Sequence, residues 1–503
     1  MTLSAVVRRH AQERPGAPAF ITGDDRIIWS AYDAWADRLA AELRRTGTGG
    51  DRVAVLLPDG PAVHAAYLAV ERAGRVIVGV GPRAGAREIA HLVRLTGART
   101  LVTDRPEIAA GLGLDTVDPV PARTGDPAPS GPDPTDPPDS GDPSDLWLLN
   151  STSGTTGLPK CVMHDQQRWV AFHALAVAAG ALGSDDVFMS VVPAPFGFGI
   201  WTAHVTPTLL GAPTVVMPRF DPDAALALMA RKRVSVLAAV STQFVMLLQA
   251  PTLAEHDLSH LRVLFTGGEM VPHARALEFE ARTGCTVLQF YGSNETGALS
   301  RTTLDDPRDR RLRTAGRVIP SMQVRLLADD GTDVTATGGP GVAACRGPLN
   351  CLGYYGDAAA NRDLYTADGW MRTGDVCTLD PDGYLTVVGR ASDIIIRGGK
   401  NISAAQVEDE VATHPGVALA AAIALPDPVF GERVCVFVEA PPGGAGPDLD
   451  ALRAHLADRG VGKELWPERL IVLDALPRAS GGKIAKGALR DDLHRRLAAE
   501  ASP

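Results

Sequence analysis

Residues 152–160 read Thr-Ser-Gly-Thr-Thr-Gly-Leu-Pro-Lys, and no other stretch narrows the folds open to this chain so far. Glycines let backbone N–H groups approach an anion, hydroxyls add rotatable donors, and Lys160 adds an ammonium. The run follows an apolar segment at 146–149 and precedes a helix-like stretch at 166–181. Strand, glycine loop, helix is the setting in which phosphates are held at the end of a parallel sheet, so an α/β fold with a nucleotide ligand is expected. The run is not a Walker A loop, because Gly154 and Gly157 are only three apart and no Gly-Lys-Ser/Thr follows. Taken alone, it also reads as a Ser/Thr/Gly surface turn.

The rest of the chain supports the α/β expectation. Residues 52–57, 76–80 and 99–103 read as strands and 62–73 and 87–95 as helices, which is βαβ logic. Residues 118–145 are dense in Pro, Asp, Gly and Ser and are expected to form a long flexible loop within the large domain. Alternation resumes with strands at 234–240, 261–265 and 286–290 and a helix at 273–282. Shorter, turn-rich segments at 318–390 predict an antiparallel subdomain. Helices at 404–413 and 449–458 and strands at 418–425 and 434–438 predict a small α+β domain from about 392. The expected domains are therefore 1–391 and 392–503, which suits a chain of 503 residues.

Composition excludes several classes. A formal charge of −10 argues against a general nucleic-acid binder. No apolar run is long enough to span a membrane, and the start lacks a signal-peptide core with a cleavage site. The cysteines at 161, 285, 345, 351, 377 and 435 are scattered, so buried thiols in a reducing cytoplasm are expected. The chain has six lysines (160, 232, 400, 463, 483 and 486) against 43 arginines. Lys160, Lys400 and Lys483 lie beside glycine turns, where a compact ammonium suits phosphate chemistry.

Other segments carry candidate chemistry. Tyr291-Gly292-Ser293-Asn294-Glu295-Thr296 ends a strand, and a carboxylate there beside a phosphate loop calls for an intervening cation, naturally Mg²⁺. Thr373-Gly374-Asp375 puts a carboxylate on a glycine turn, suited to ribose hydroxyls, although an ordinary Asx turn reads the same way. Residues 389–402 include Gly389-Arg390, Ser392 and Gly398-Gly399-Lys400, and residues 477–484 end in Gly481-Gly482-Lys483-Ile484. Thr266-Gly267-Gly268-Glu269 and Pro195-Phe196-Gly197-Phe198-Gly199 are weaker signals.

From about 150 to 484 these segments resemble, in order, the motifs of the adenylate-forming superfamily, which comprises acyl-CoA synthetases, aryl-CoA ligases, carrier-protein-loading adenylation enzymes and beetle luciferases. The resemblance implies a large N-terminal domain of stacked α/β sheets with a β-rich subdomain and a small mobile C-terminal domain. It implies that ATP is held by Thr152, Ser153, Gly154, Thr155, Thr156, Gly157, Lys160, Gly267, Gly268, Glu269, Tyr291, Gly292, Asn294, Asp375, Arg390 and Lys483. By the same resemblance, Thr152 and Glu295 serve Mg²⁺, Glu295 and Lys483 are catalytic, and Lys483 reaches the α-phosphate. Ser392 would be the hinge, and Gly398 and Gly399 would line the thiol tunnel. Phe196, Phe198, Gly199, Trp201, Gly267 and Gly292 would form the acid pocket. The chain departs from the family pattern at Asn294, Ser392 and Gly481, and carries Phe196 where many relatives have His.

The expected activity is ATP-dependent ligation of a carboxylic acid, aryl or alicyclic, to coenzyme A through an acyl-adenylate. Loading of a separate acyl carrier protein is the alternative. A nucleotide-binding protein with lapsed catalysis is a third reading, left open by the departures. The oligomeric state is not legible.

Overall fold

The computed structural model describes residues 2–46, 51–120, 142–151, 159–269, 271–328, 330–398, 400–479 and 483–500. Residues 152–158 of the glycine loop, most of the expected flexible loop, Gly399, and Gly481 with its neighbours lie outside these.

Two sheets face each other across the large N-terminal part. One is six-stranded and runs Asp115–Val117, Thr100–Thr103, Arg52–Leu56, Val76–Gly79, Leu148–Ser151, Cys161–His164. Its pairings are parallel except the last. Val53, Ala54, Val55 and Leu56 are buried on both faces, which is why this strand is a continuous apolar run without alternation. The second sheet is nine-stranded, with Val236–Ala238, Val263–Gly267 and Thr286–Ser293 parallel at its heart. Helix Pro61–Arg72 touches both sheets and is buried almost all round. Its alanines let it lie close between the two layers, so it lacks the polar face of a surface helix.

A four-stranded antiparallel sheet (Gln323–Leu327, Gly341–Arg346, Met371–Leu379, Leu385–Arg390) forms the β-rich subdomain. The small C-terminal domain has a five-stranded sheet with helices Ala404–Val411 and Leu449–Asp458. One face of its sheet has its own core, including Val407, Val436, Leu452 and Leu456, while Ala421, Ile423, Cys435 and Phe437 belong to a cluster that reaches into the large N-terminal part. All six cysteines are buried, and burial pushes the Cys345 and Cys377 thiols up to about 12. No helix among the described residues is long and apolar enough to cross a membrane.

Three local expectations are corrected. The glycine loop does not lead into a helix. Leu148–Ser151 and Cys161–His164 pair antiparallel, so the loop joins two strands of a hairpin. Helix Gln166–Gly180 starts only after Asp165, whose side chain accepts the Arg168 N–H at 2.7 Å. The four-residue strand Cys-Val-Met-His is too short for its alternation to stand out beside the loop. Next, Thr373-Gly374-Asp375 is not a free turn but a bulge inside strand Met371–Leu379, where the register against Gly341–Arg346 shifts across these residues and Gly374 has a φ of +77°. Finally, the strand expected at 286–290 runs on to Ser293 and folds back as Gly297–Arg301. A Cβ on Gly292 would come within 1.6 Å of the Gly297 carbonyl oxygen, so only glycine permits that return.

Candidate active site

The carboxyl ends of the central parallel strands deliver Gly267, Gly268, Glu269, Tyr291, Gly292, Asn294 and Glu295 to one edge of the nine-stranded sheet. The β-rich subdomain brings Asp375 and Arg390 to the same edge, and the C-terminal domain brings Lys483. All of these except Asn294 and Glu295 line a cleft of about 740 Å³. A second chamber of about 250 Å³ opens from it, and the two share Gly268, Tyr291, Gly292, Arg390 and Lys483.

Asp375 and Arg390 are register partners on adjacent strands, and Arg390 Nε lies 3.2 Å from Asp375 Oδ1. The Tyr291 hydroxyl donates to Asp375 Oδ2 at 2.8 Å. Burial pushes the Asp375 carboxyl up, and Arg390 is the main group drawing it back down. Glu269 accepts from the backbone N–H of Thr242 at 3.1 Å and from its hydroxyl.

Lys483 Nζ lies 3.0 Å from the point a Cβ on Gly268 would occupy, and Gly268 has a φ of +75°. Both facts favour glycine there. Burial lowers the Lys483 pKa from the ordinary lysine value. Glu269, then Glu295 and Asp375, oppose that shift, while Arg390 adds to it. Lys483 is thus a desolvated ammonium whose charge these three carboxylates favour.

Glu295 Oε1 accepts from the Tyr354 hydroxyl at 2.8 Å, and Lys160 Nζ lies 4.7 Å from the Tyr354 ring centroid. Tyr354 therefore links the end of the glycine loop to the Tyr291–Glu295 segment. Among the described residues no group of three or more His, Cys, Asp and Glu could hold a metal. A single carboxylate fits Mg²⁺, which keeps water and phosphate oxygens as its other ligands.

The smaller chamber is walled by Trp169, Phe172, Phe198 and Phe290, with Phe196 and Val192 beside them. Two residues expected here do not line it. Trp201 is fully buried, packed edge-on against Phe265 at 4.9 Å and against Phe172 at 5.3 Å. Gly199 faces the Pro193 carbonyl, 2.1 Å from where a Cβ would stand. Residues 197–199 begin a helical turn that continues as a π-helix over Ile200–Val205, and that winding turns 199–201 into the core.

Gly398 donates its N–H to the Phe430 carbonyl at 2.8 Å on a hairpin that lines neither cavity. Ser392 lines the large cleft in a short turn between strands Leu385–Arg390 and Ile394–Arg397. Next to it, Asp393 pairs with Arg490 at 2.5 Å and with Lys486 at 3.7 Å.

Three site groups escaped sequence reading: Tyr354, Asn150 and Arg168. Asn150 Nδ2 donates to Pro195 O at 3.1 Å and to Asn294 Oδ1 at 3.4 Å, and its own oxygen meets His164 Nε2 at 2.8 Å. Arg168 Nη2 donates to Asn294 O at 2.6 Å, and Nη1 contacts His164 Nδ1. Arg168 was detectable, as the one Arg, Lys, Asp or Glu in the stretch 166–181.

Comparison with known proteins places the chain among characterised relatives. The model of the AMP-binding enzyme family matches residues 7–355, and that of the AMP-binding enzyme C-terminal domain matches residues 406–483. A salicylyl-CoA synthase / salicylate adenylyltransferase of Streptomyces sp is 34% identical over 529 residues, covering 97% of this chain and 93% of that protein. A medium-chain fatty-acid–CoA ligase of Escherichia coli is 35% identical over 355 residues, but the match spans only 62% of that enzyme and 70% of this chain. The crystal structure of ATP-bound MatB from Rhodopseudomonas palustris superposes with a TM-score of 0.85 at 28% identity, covering 97% of this chain and 98% of that one.

Proposed function

This chain belongs to the AMP-binding enzyme family, and from that premise we propose that it activates an aryl or alicyclic carboxylic acid as its acyl-adenylate and passes the acyl group to coenzyme A. The observation that carries the proposal is the place of Lys483, on the rim shared by the polar cleft and the aromatic chamber.

The acid enters the chamber with its carboxylate toward that rim, and ATP occupies the large cleft. A carboxylate oxygen attacks the α-phosphorus, the α–β anhydride bond breaks, and pyrophosphate leaves. Lys483 donates to the oxygens on which charge gathers during attack, an interaction stronger in the transition state than before it. Asp375 accepts from the ribose hydroxyls, held in place by Tyr291 and Arg390. Gly267, Gly268 and Glu269 line the adenine side, with Gly292 and Asn294 nearby. Residues 152–157 and Lys160 hold the leaving phosphates. Glu295, with Thr152, would hold Mg²⁺, which when bound neutralises charge on the phosphate oxygens.

We place the domain division at 391/392. The C-terminal domain turns about Ser392, withdraws Lys483 and brings Gly398 and Gly399 to the site. The coenzyme A sulfur then attacks the acyl carbon, AMP leaves, and the thiol proton passes to solvent. Separating the half-reactions by domain motion lets one pocket serve two transition states. The flat aromatic walls of the chamber support a ring-bearing acid, and the Streptomyces relative is named for salicylate. That relative's name also covers adenylyl transfer, and a carrier-protein phosphopantetheine stays the alternative second acceptor. Lys483 stands where the two cavities meet, with Asp375 on the large cleft and Glu295 on the chamber, and that convergence opposes the lapsed-catalyst reading.

The test is mass spectrometry of products from enzyme, MgATP, a panel of aryl, alicyclic and fatty acids, and coenzyme A. An acyl-CoA product supports the proposal. Acyl-adenylate without acyl-CoA moves the acceptor to a carrier protein. ATP binding without any product favours lapsed catalysis.

A further inference from the structure

We infer that the aromatic chamber selects acids bearing a second oxygen function on the ring, a hydroxyl or carboxylate, and that Arg168 is the residue that reads it. The inference rests on the chamber being the acid site.

Arg168 lines the chamber yet is only 5% exposed. Its described bonds use two of the five guanidinium N–H groups, one toward His164 Nδ1 and one to Asn294 O. Among the described residues no carboxylate lies within 4.0 Å of it. Glu295 is the carboxylate that acts on it most strongly, and Glu295 already accepts from Tyr354. A buried cation without a counter-ion is costly, and an anionic or oxygen-bearing ligand offsets that cost.

Bracing Asn294 does not require the charge. Asn150, a neutral amide, already holds the Asn294 side chain, and a neutral donor at 168 could reach the Asn294 carbonyl. An apolar ring does not require it either, because Trp169, Phe172, Phe198 and Phe290 supply the flat walls. Nor is it needed for the reacting carboxylate. Lys483 and Arg390 line both cavities and stand at the shared rim, whereas Arg168 lines only the chamber. The acid site therefore carries cations of two kinds, one set facing the chemistry and one within the chamber. A substituted ring whose carboxylate meets the first set can present an oxygen to the second.

The experiment compares benzoate, the three toluates, the three hydroxybenzoates and the three benzenedicarboxylates on the full-length enzyme. Methyl and hydroxyl are near-isosteric, so shape is controlled. Two readouts are taken: ATP–pyrophosphate exchange, and calorimetric binding of each acid with Mg²⁺ and α,β-methylene-ATP, which cannot form the adenylate. At one ring position or more, the oxygen-bearing acid should exceed its methyl counterpart about tenfold or more in kcat/KM and in affinity. Arg168→Gln, which keeps a donor for Asn294, should bring that ratio to within about twofold. Arg168→Lys, which keeps the charge, should retain part of it and serves if the first variant does not fold. Equal use of methyl and hydroxyl acids overturns the inference, as does a ratio that survives Arg168→Gln or a chamber that binds none of the panel. A preference in binding that depends on Arg168, without exchange for any acid, upholds the inference and removes the adenylation proposal. Exchange without preference does the reverse.

Discussion

The hydroxyl of Tyr291 donates to Asp375 Oδ2 at 2.8 Å across 84 residues of sequence. With Arg390 on the other carboxylate oxygen, the pair sets the direction in which Asp375 faces the cleft. In the proposed mechanism this orients the carboxylate toward the ribose hydroxyls before ATP arrives. Tyr291→Phe should raise the KM for ATP in pyrophosphate exchange by about threefold to tenfold, with a smaller change in kcat. Asp375→Ala should cost more, about a hundredfold in kcat/KM, because the charged partner itself is lost.

In the proposed mechanism Lys483 works in the first half-reaction only. Lys483→Ala should lower adenylate formation by a hundredfold or more, on the order of an oxyanion-stabilising group, yet spare thioester formation from supplied acyl-adenylate. Single-turnover assays of each half-reaction measure this, and equal loss in both would count against domain alternation.

The same residue sets a pH dependence. The ammonium form is the active one, and burial lowers its pKa in the free enzyme. Activity should therefore fall as pH rises through that lowered pKa, below the ordinary lysine range. Bound ATP adds negative charge and draws the pKa back up. The alkaline limb of kcat/KM for ATP, which reports the free enzyme, should lie at lower pH than the limb of kcat. Coincident limbs would remove Lys483 as the titrating group.

Glu295→Ala should raise the Mg²⁺ concentration for half-maximal adenylation about tenfold, since one protein carboxylate is the proposed ligand. Tyr354→Phe, which frees the Glu295 oxygen, should shift the same titration less. An unchanged Mg²⁺ curve in Glu295→Ala would take that residue out of the metal site.

Trp201 and Phe198 separate packing from recognition. Trp201 is fully buried behind the chamber wall, so Trp201→Ala should lower stability by about 3–5 kcal/mol, seen as a fall in Tm. Phe198 faces the chamber, so Phe198→Ala should chiefly change the ranking of acids in the exchange assay. The opposite pattern would mean that the helical turn is wound differently.

The chemistry-bearing motifs were readable in one dimension because glycine turns, hydroxyls and lone lysines act through local backbone. The parallel sheets were readable because strands buried on both faces become continuous apolar runs, as at Arg52–Leu56. Reading failed where an element was too short to show its period, as at Cys161–His164. It failed also where a turn pattern was drawn into a strand by its neighbours, as at Gly374-Asp375.

Sequence by itself thus determined the family and the order of a large N-terminal and a small C-terminal part, since each motif is contiguous and its geometry is local. Only the tertiary structure decided which distant groups meet. It joined Tyr291 to Asp375, set Lys483 over Gly268, and placed Tyr354 between Lys160 and Glu295. It also decided which side chains line the aromatic chamber. A π-helical winding turned Trp201 inward, and a helix that begins at Gln166 left Arg168 at the chamber wall. Those outcomes depend on the phase and packing of whole elements, which no local residue pattern contains.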